Sequence, residues 1–149
     1  MNIEIREATI NDLDKGLLDV FIEGYRFHQN GRPDVFANLS DETLKEDLIK
    51  NFDTLSTLVA LYKENIVGYI SYEIKEKHCK KLHVEQLVIS EKYRAHGLGK
   101  KLMDEVRNIG INNNCVRIEL DCWMFNTNAL SMYEHIGFDR QRIMYEMKL

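Results

Sequence analysis

The chain has 149 residues, 44% of them hydrophobic and 30% charged, with one proline and a formal net charge of −4. That composition excludes a disordered or low-complexity polymer and predicts one folded domain, residues 1–149, with a core large enough to stand alone. The acidic balance argues against nucleic acid as the main partner, because such affinity rests on neutralising phosphates with Lys and Arg.

No window offers the long uncharged apolar run of a membrane span, so no membrane partner is expected. The N-terminus lacks the basic start and apolar stretch of a signal peptide. Cys79, Cys115 and Cys122 are odd in number and lack CxxC spacing, which predicts reduced thiols in a cytoplasmic protein rather than a disulfide framework or zinc site.

The opening "MNIEIREATI" alternates apolar and polar residues and predicts a half-buried strand. In "NDLDKGLLDVFIEGYRFH", Leu13, Leu17, Leu18, Phe21 and Tyr25 recur at helical spacing, with Asn11 or Asp12 placed to cap the first amides. Gly31 and Pro33 interrupt that period, and "LSDETLKEDLIKNF" restarts it behind Ser40 as N-cap, with Asp41 and Glu42 suited to the helix dipole. Two strand-like runs, "LSTLVALYK" and "IVGYISYEIK", flank a short polar turn at Glu64 and Asn65 and predict an antiparallel hairpin.

"LHVEQLVIS" returns to strand composition after the charged stretch "KEKHCKK", and an amphipathic helix follows a glycine-containing loop. "CVRIELDCW" predicts the next strand. "NTNALSMYEHIGF" predicts a short helix stopped by Gly137, and "RIMYEMKL" a closing strand. The order strand, helix, helix, three strands, helix, strand, helix, strand predicts an α/β fold: a mixed sheet, covered by helices, with a right-handed crossover over Arg94 to Asn113.

That crossover begins with "LVISEKYRAHGLGKKLMDEV", a strand leading through a loop with Gly97 and Gly99 into a helix. Such a junction aims unpaired amides and the positive helix end at whatever sits above the loop, and phosphate suits it. Arg94 and Lys100 add positive charge. A P-loop is excluded because "GLGKKL" lacks GxxxxGK[ST] spacing. A dinucleotide fingerprint is also disfavoured, since Leu102 stands where the third glycine is needed, even though Glu119 or Asp121 would supply the ribose-binding acid.

Arg94-x-x-Gly97-x-Gly99 resembles the [QR]xxGx[GA] pyrophosphate loop of the GNAT N-acetyltransferase superfamily, and "NTNALSMYEHIGF" resembles its NxxAxxxYExxGF signature, with Asn126, Ala129, Tyr133, Gly137 and Phe138 in register. The resemblance implies a mostly antiparallel sheet with helices on both faces and one parallel pair splayed around acetyl-CoA. It implies an enzyme that moves the acetyl group of acetyl-CoA to a primary amine. The acceptor is a small cationic amine such as a polyamine or aminoglycoside, or a protein N-terminus or lysine. A silent acetyl-CoA-binding sensor or interaction module is the alternative.

By the same resemblance, Leu87, Val88 and Ile89 bind the pantetheine arm through their backbone, with an amide near Val88 polarising the acetyl carbonyl. Arg94, Ala95, His96, Gly97, Leu98, Gly99 and Lys100 hold the pyrophosphate, and Asn126 and Ala129 complete the cofactor site. Tyr133 is identified with the tyrosine that protonates the coenzyme A sulfur, which suits a phenol near pKa ~10 facing a thiolate whose acid lies near ~8.5. Its helical spacing suits a core aromatic as well.

Glu85 resembles the family's general base and, as an ordinary carboxylate, would act on an ammonium through water; an ion pair with Arg117 fits it equally. Asn126 also suits a helix cap. His83, His96 and His135 are spread along the chain with no carboxylate or thiol at metal-ligand spacing beside them, so no metal is predicted. Specificity is expected from the first helix, the loop "FHQNGRPDVF" and the hairpin around Tyr69 and Tyr72, with Glu23, Asp34, Asp121 and Glu85 as acidic candidates near a cationic amine. The final strand is a possible sheet edge through which a homodimer would form.

Overall fold

The computed structural model describes residues Met1–Leu149. Its sheet has five strands in the order β1 (Ile3–Glu7), β2 (Ser56–Tyr62), β3 (Asn65–Lys75), β4 (Lys81–Ile89) and β5 (Ile118–Leu120). Neighbours are antiparallel except β4 and β5, which run parallel. Four helices cover it: α1 (Leu17–Gly31), α2 (Asp41–Thr54), α3 (Leu98–Asn112) and α4 (Thr127–His135).

The run Leu58-Val59-Ala60-Leu61 in β2 is apolar at every position because both faces of the sheet are buried. Leu58 and Ala60 join one core with Leu98, Leu102 and Val106, which recur every fourth residue along α3. Val59 and Leu61 join the other with Leu17, Val20 and Phe21 of α1 and Leu44 and Leu48 of α2. The β2–β3 turn places Lys63 and Glu64 at φ 49° and 68°, the left-handed pair that matches the twist of a hairpin. Asn65, expected in the turn, already belongs to β3.

A bulge changes the faces of β4. Ser71 lies opposite Gln86 and Tyr72 opposite Val84, so Glu85 is an extra residue. Before it, Leu82 and Val84 point into the α3 core; after it, Leu87 and Ile89 do so while Val88 packs towards α1. Pairing with β5 covers only Leu82–Ile118, His83–Glu119 and Val84–Leu120. Beyond the bulge the last residues of β4 therefore lack a neighbour on the β5 side.

Three expectations need correction. The first helical pattern is two elements, a 3-10 turn over Ile10–Lys15 and then α1, because Gly16 takes φ 111° and Thr9 with Asp12 forms a capping box on the first. The strand expected over "CVRIELDCW" is only β5, since the chain turns off the sheet where β4 and β5 part. "RIMYEMKL" forms no strand: it is exposed along its length and joins no ladder of the sheet.

Candidate active site

The loop from Ser90 to Gly97 begins with a short 3-10 turn, Glu91–Tyr93, and is anchored at both ends. The Ser90 amide donates to Val67 O at 2.9 Å and the Glu91 amide to Glu23 Oε2 at 3.1 Å. The Arg94 Nε donates to Ile89 O at 3.1 Å, folding its guanidinium back on the end of β4. Ala95 and Gly97 both take left-handed angles, φ 65° and 74°, which turns consecutive amides the same way. The first helical bond runs from Lys101 N–H to Gly97 O at 3.1 Å, and the amides of residues 95–100 donate to no protein acceptor.

Six free amides at the positive end of a 15-residue helix make an anion cradle. A Cβ on Gly97 would meet open space, whereas one on Gly99 would stand 2.9 Å from Met132 Sδ. Gly97 is thus needed for its backbone angle, and Gly99 lets α3 approach α4. Lys100 does not add its charge to the cradle as expected; its Nζ bonds Asp104 Oδ2 at 2.7 Å, one turn further along the helix. His96 is exposed and makes no hydrogen bond.

Beside the cradle lies the unpaired side of β4 at Leu87, Val88 and Ile89, whose other side is ladder-bonded to Gly68, Tyr69 and Ile70. An extended amide-bearing chain can pair with such an edge as a strand does. Gly24 of α1 allows this packing, since a Cβ there would lie 2.8 Å from Val88 Cγ2. Gln86 is held towards α1 by the Tyr69 hydroxyl, which donates to its Oε1 at 2.9 Å.

At the fork between β4 and β5 sit the polar side chains. Glu85, on the bulge and 49% exposed, brings its Oε2 to 3.5 Å from His83 Nε2. His83 Nδ1 faces Glu119 Oε1 at 3.8 Å. Burial pushes the Glu119 carboxyl up, but hydrogen bonds from Lys81 and Gln141 leave it below its ordinary value. The expected Glu85–Arg117 pair is not formed, because the bulge turns Glu85 towards His83 while Arg117 lies against Cys79.

Tyr133 of α4 packs its ring edge-on to Phe138 at 5.7 Å and has no protein hydrogen-bond partner for its hydroxyl. Burial, with a smaller contribution from Cys122, raises its pKa above the ordinary phenol value. Asn126 caps α4, its Oδ1 accepting from the Ala129 amide at 3.4 Å. Loop, β4 edge and α4 meet at Gly99, Leu87 and Met132.

On the opposite side, α1 extends to Gly31, so half of "FHQNGRPDVF" is helical. The following loop packs Phe36 against Trp123 at 5.7 Å, with Phe125, His28 and Phe27 completing an aromatic cluster beyond β5. Tyr69 and Tyr72, expected to shape specificity, are buried on opposite faces of the sheet. Asp34 is engaged with Arg32 at 2.9 Å, and Glu23 with the Glu91 amide. Asp121 is exposed. The aromatic cluster escaped the sequence reading because its members come from three separate segments without shared periodicity.

Residues 21–138 match the acetyltransferase (GNAT) family model. Human N-alpha-acetyltransferase 30 is 27% identical over 103 residues, 68% of this chain, and the match spans 28% of that protein's length. Glucosamine 6-phosphate N-acetyltransferase 1 of Dictyostelium discoideum is 26% identical over 151 residues, covering 99% of this chain and 91% of its own. The crystal structure of a tetramutant of the BH1408 protein from Bacillus halodurans shares the fold, with a TM-score of 0.85 at 22% identity over 98% of this chain and 99% of that one. On a family match that spans well over half its length, this chain belongs to the acetyltransferase (GNAT) family.

Proposed function

We propose that the protein is an N-acetyltransferase that takes its acetyl group from acetyl-CoA and passes it to a primary amine. The observation that carries this reading is the run of free amides over residues 95–100, placed next to a strand edge left open by the parting of β4 and β5. A pyrophosphate fits the first and a pantetheine amide chain the second, and the two lie in the order in which coenzyme A presents those groups. When bound, acetyl-CoA supplies a thioester, an acyl donor that needs no metal or redox partner.

In this reading the backbone at residues 95–100 binds the diphosphate, with Arg94 at its side. The open edge of Leu87, Val88 and Ile89 orients the arm so that the acetyl carbonyl meets a fixed amide, which stabilises developing negative charge without reorganisation. Tyr133 keeps its proton because its partly buried hydroxyl is poorly solvated, and gives it to the departing sulfur. Glu85, half in solvent, takes the proton of the incoming ammonium through water. The acceptor enters from the side of the loop Arg32–Ser40 and the aromatic cluster.

The test is release of free thiol from acetyl-CoA in the presence of a panel of amines: spermidine, an aminoglycoside, glucosamine 6-phosphate and short peptides with free N-termini. At least one should raise thiol release well above the no-acceptor rate. Binding of coenzyme A with no acceleration by any amine would leave only a binding role and contradict the proposal.

A further inference from the structure

We propose that the acceptor is a primary amine carried on an aromatic or large apolar group, free or at a peptide N-terminus, and that Trp123, Phe125 and Phe27 select it. This substrate class rests on the acetyl-transfer reading above. α1 ties the aromatic cluster to the place of reaction. Its Gly24 lies against Val88 of the open β4 edge, and Phe27 and His28, one turn further on, belong to the cluster. His28 is four residues past Gly24, about 6 Å along the helix, a span that a short carbon link between an amine and a ring covers. β5 approaches from the other side: Glu119 stands at the fork, and Trp123 follows four residues later.

These rings are not spent on holding the fold together. Trp123 stacks on Phe125 at 6.2 Å, and Phe125 meets Phe27 at 5.7 Å, yet none of the three belongs to either core of the sheet. Phe27 is 39% exposed, and Val35 and Met124, next in sequence to Phe36 and Trp123, are 46% and 78% exposed. An open apolar patch beside a few convergent polar groups is what a small-ligand site presents.

Charge decides between the amines that could reach it. Glu85 and Glu119 stand at the fork, and Glu85 has no lysine or arginine partner, so one ammonium is welcome there. Every Lys and Arg of α1, the following loop and the fork already holds a carboxylate of the chain: Arg26 holds Asp41 at 2.9 Å, Arg32 holds Asp34 at 2.9 Å and Glu146 at 2.8 Å, and Lys81 holds Glu119 at 3.1 Å. A phosphate or carboxylate on the acceptor therefore finds no unpaired cation. A second ammonium is no better placed, because the Arg32 guanidinium already lies 5.0 Å over the Trp123 ring. What the surface leaves open is apolar contact, which suits a ring and neither a sugar phosphate nor a polyamine.

The measurement is thiol release from acetyl-CoA with paired amines that differ in the ring: 3-phenylpropylamine against propylamine, and a short peptide starting with Phe against the same peptide starting with Gly. In at least one pair the ring should raise kcat/KM by about tenfold or more, as burial of an aromatic group does. The pair with the larger effect names the source, and glucosamine 6-phosphate and spermidine should fall below its ring-bearing member. Trp123→Ala should bring the ratio within that pair towards one. Phe27→Ser, at an exposed position, should lower the ratio while keeping the parent's Tm. Damage to the fold alone lowers both members alike and leaves the ratio. A ratio near one in both pairs, a ratio unmoved by both variants, or higher kcat/KM with glucosamine 6-phosphate or spermidine would overturn this substrate class and leave acetyl transfer standing. If no amine in the set raises thiol release, the acetyl-transfer reading falls, and the substrate class with it.

Discussion

Tyr133 combines a partly buried ring with a hydroxyl that no protein group uses. Its motif showed in the sequence, but the unused hydroxyl did not, because spacing says nothing of hydrogen bonding. With a raised pKa the phenol stays protonated beyond about pH 10, so kcat should show no loss from its ionisation at moderately alkaline pH. Tyr133→Phe keeps the packing and removes the proton; steady-state kinetics should show kcat lowered about 10²–10⁴-fold. Coenzyme A affinity and Tm should change little, whereas a purely structural tyrosine would lower Tm and leave kcat. Asp12 shows the opposite limit of legibility. It read as a possible helix cap, but its carboxylate, 1% exposed, also accepts two hydrogen bonds from Arg6 at 2.9 and 2.8 Å and one from the Thr9 amide at 2.7 Å. The Arg6 bond chiefly holds its pKa below the ordinary value, against burial. A lowered folded-state pKa means stability that is complete above the unfolded value near ~3.9 and fades as pH falls through the folded one. Asp12→Asn should cost about 1–3 kcal/mol in urea denaturation at neutral pH, and the gap from the unchanged chain should narrow in acid. A constant gap down to pH ~2 would contradict this assignment.

Among the elements, the junction from β4 through the glycine loop into α3 was the most legible, because strand composition, a glycine pair and helical period follow one another without overlap. Gly97 sits at φ 74° with open space around its α-carbon, so a side chain there strains the backbone and stands where a phosphate would lie. Gly97→Glu should weaken acetyl-CoA binding more than tenfold by calorimetry, a loss of over ~1.4 kcal/mol. Gly97→Ala carries similar backbone strain without the charge and should lose less; equal affinity of the Glu variant and the parent would refute the cradle. Gly16 was hidden by comparison. It lies inside an unbroken apolar period, and only the fold shows why it is a glycine: the helix restarts through its φ of 111°, and a Cβ there would stand 2.8 Å from Ile66 O. The bulge at Glu85 was equally invisible. One extra residue in β4 leaves composition unchanged while reversing which side chains face α3, and it decides that Glu85 meets His83 rather than Arg117.

For the whole molecule, the first five strands along the chain and the parallel pair were legible in the sequence because both cores are built from runs with clear period, fourfold spacing on α3 and continuous apolar residues in β2, whereas the order of the strands across the sheet was not. The length of β5 did not, since "CVRIELDCW" has strand composition throughout and only the parting from β4 ends it. The terminal segment has the composition of a strand but joins no ladder of the sheet, which composition alone does not reveal. In the proposed function, the parted strands and the open helix end together form a coenzyme A site. Its most direct test is the thermal stability of the purified protein with acetyl-CoA, coenzyme A, NAD or ATP, since a ligand held only by the folded state raises Tm. Tm should rise with acetyl-CoA and coenzyme A well above any rise with NAD or ATP; no rise with either thiol cofactor, or a larger one with NAD, would contradict a coenzyme A site here.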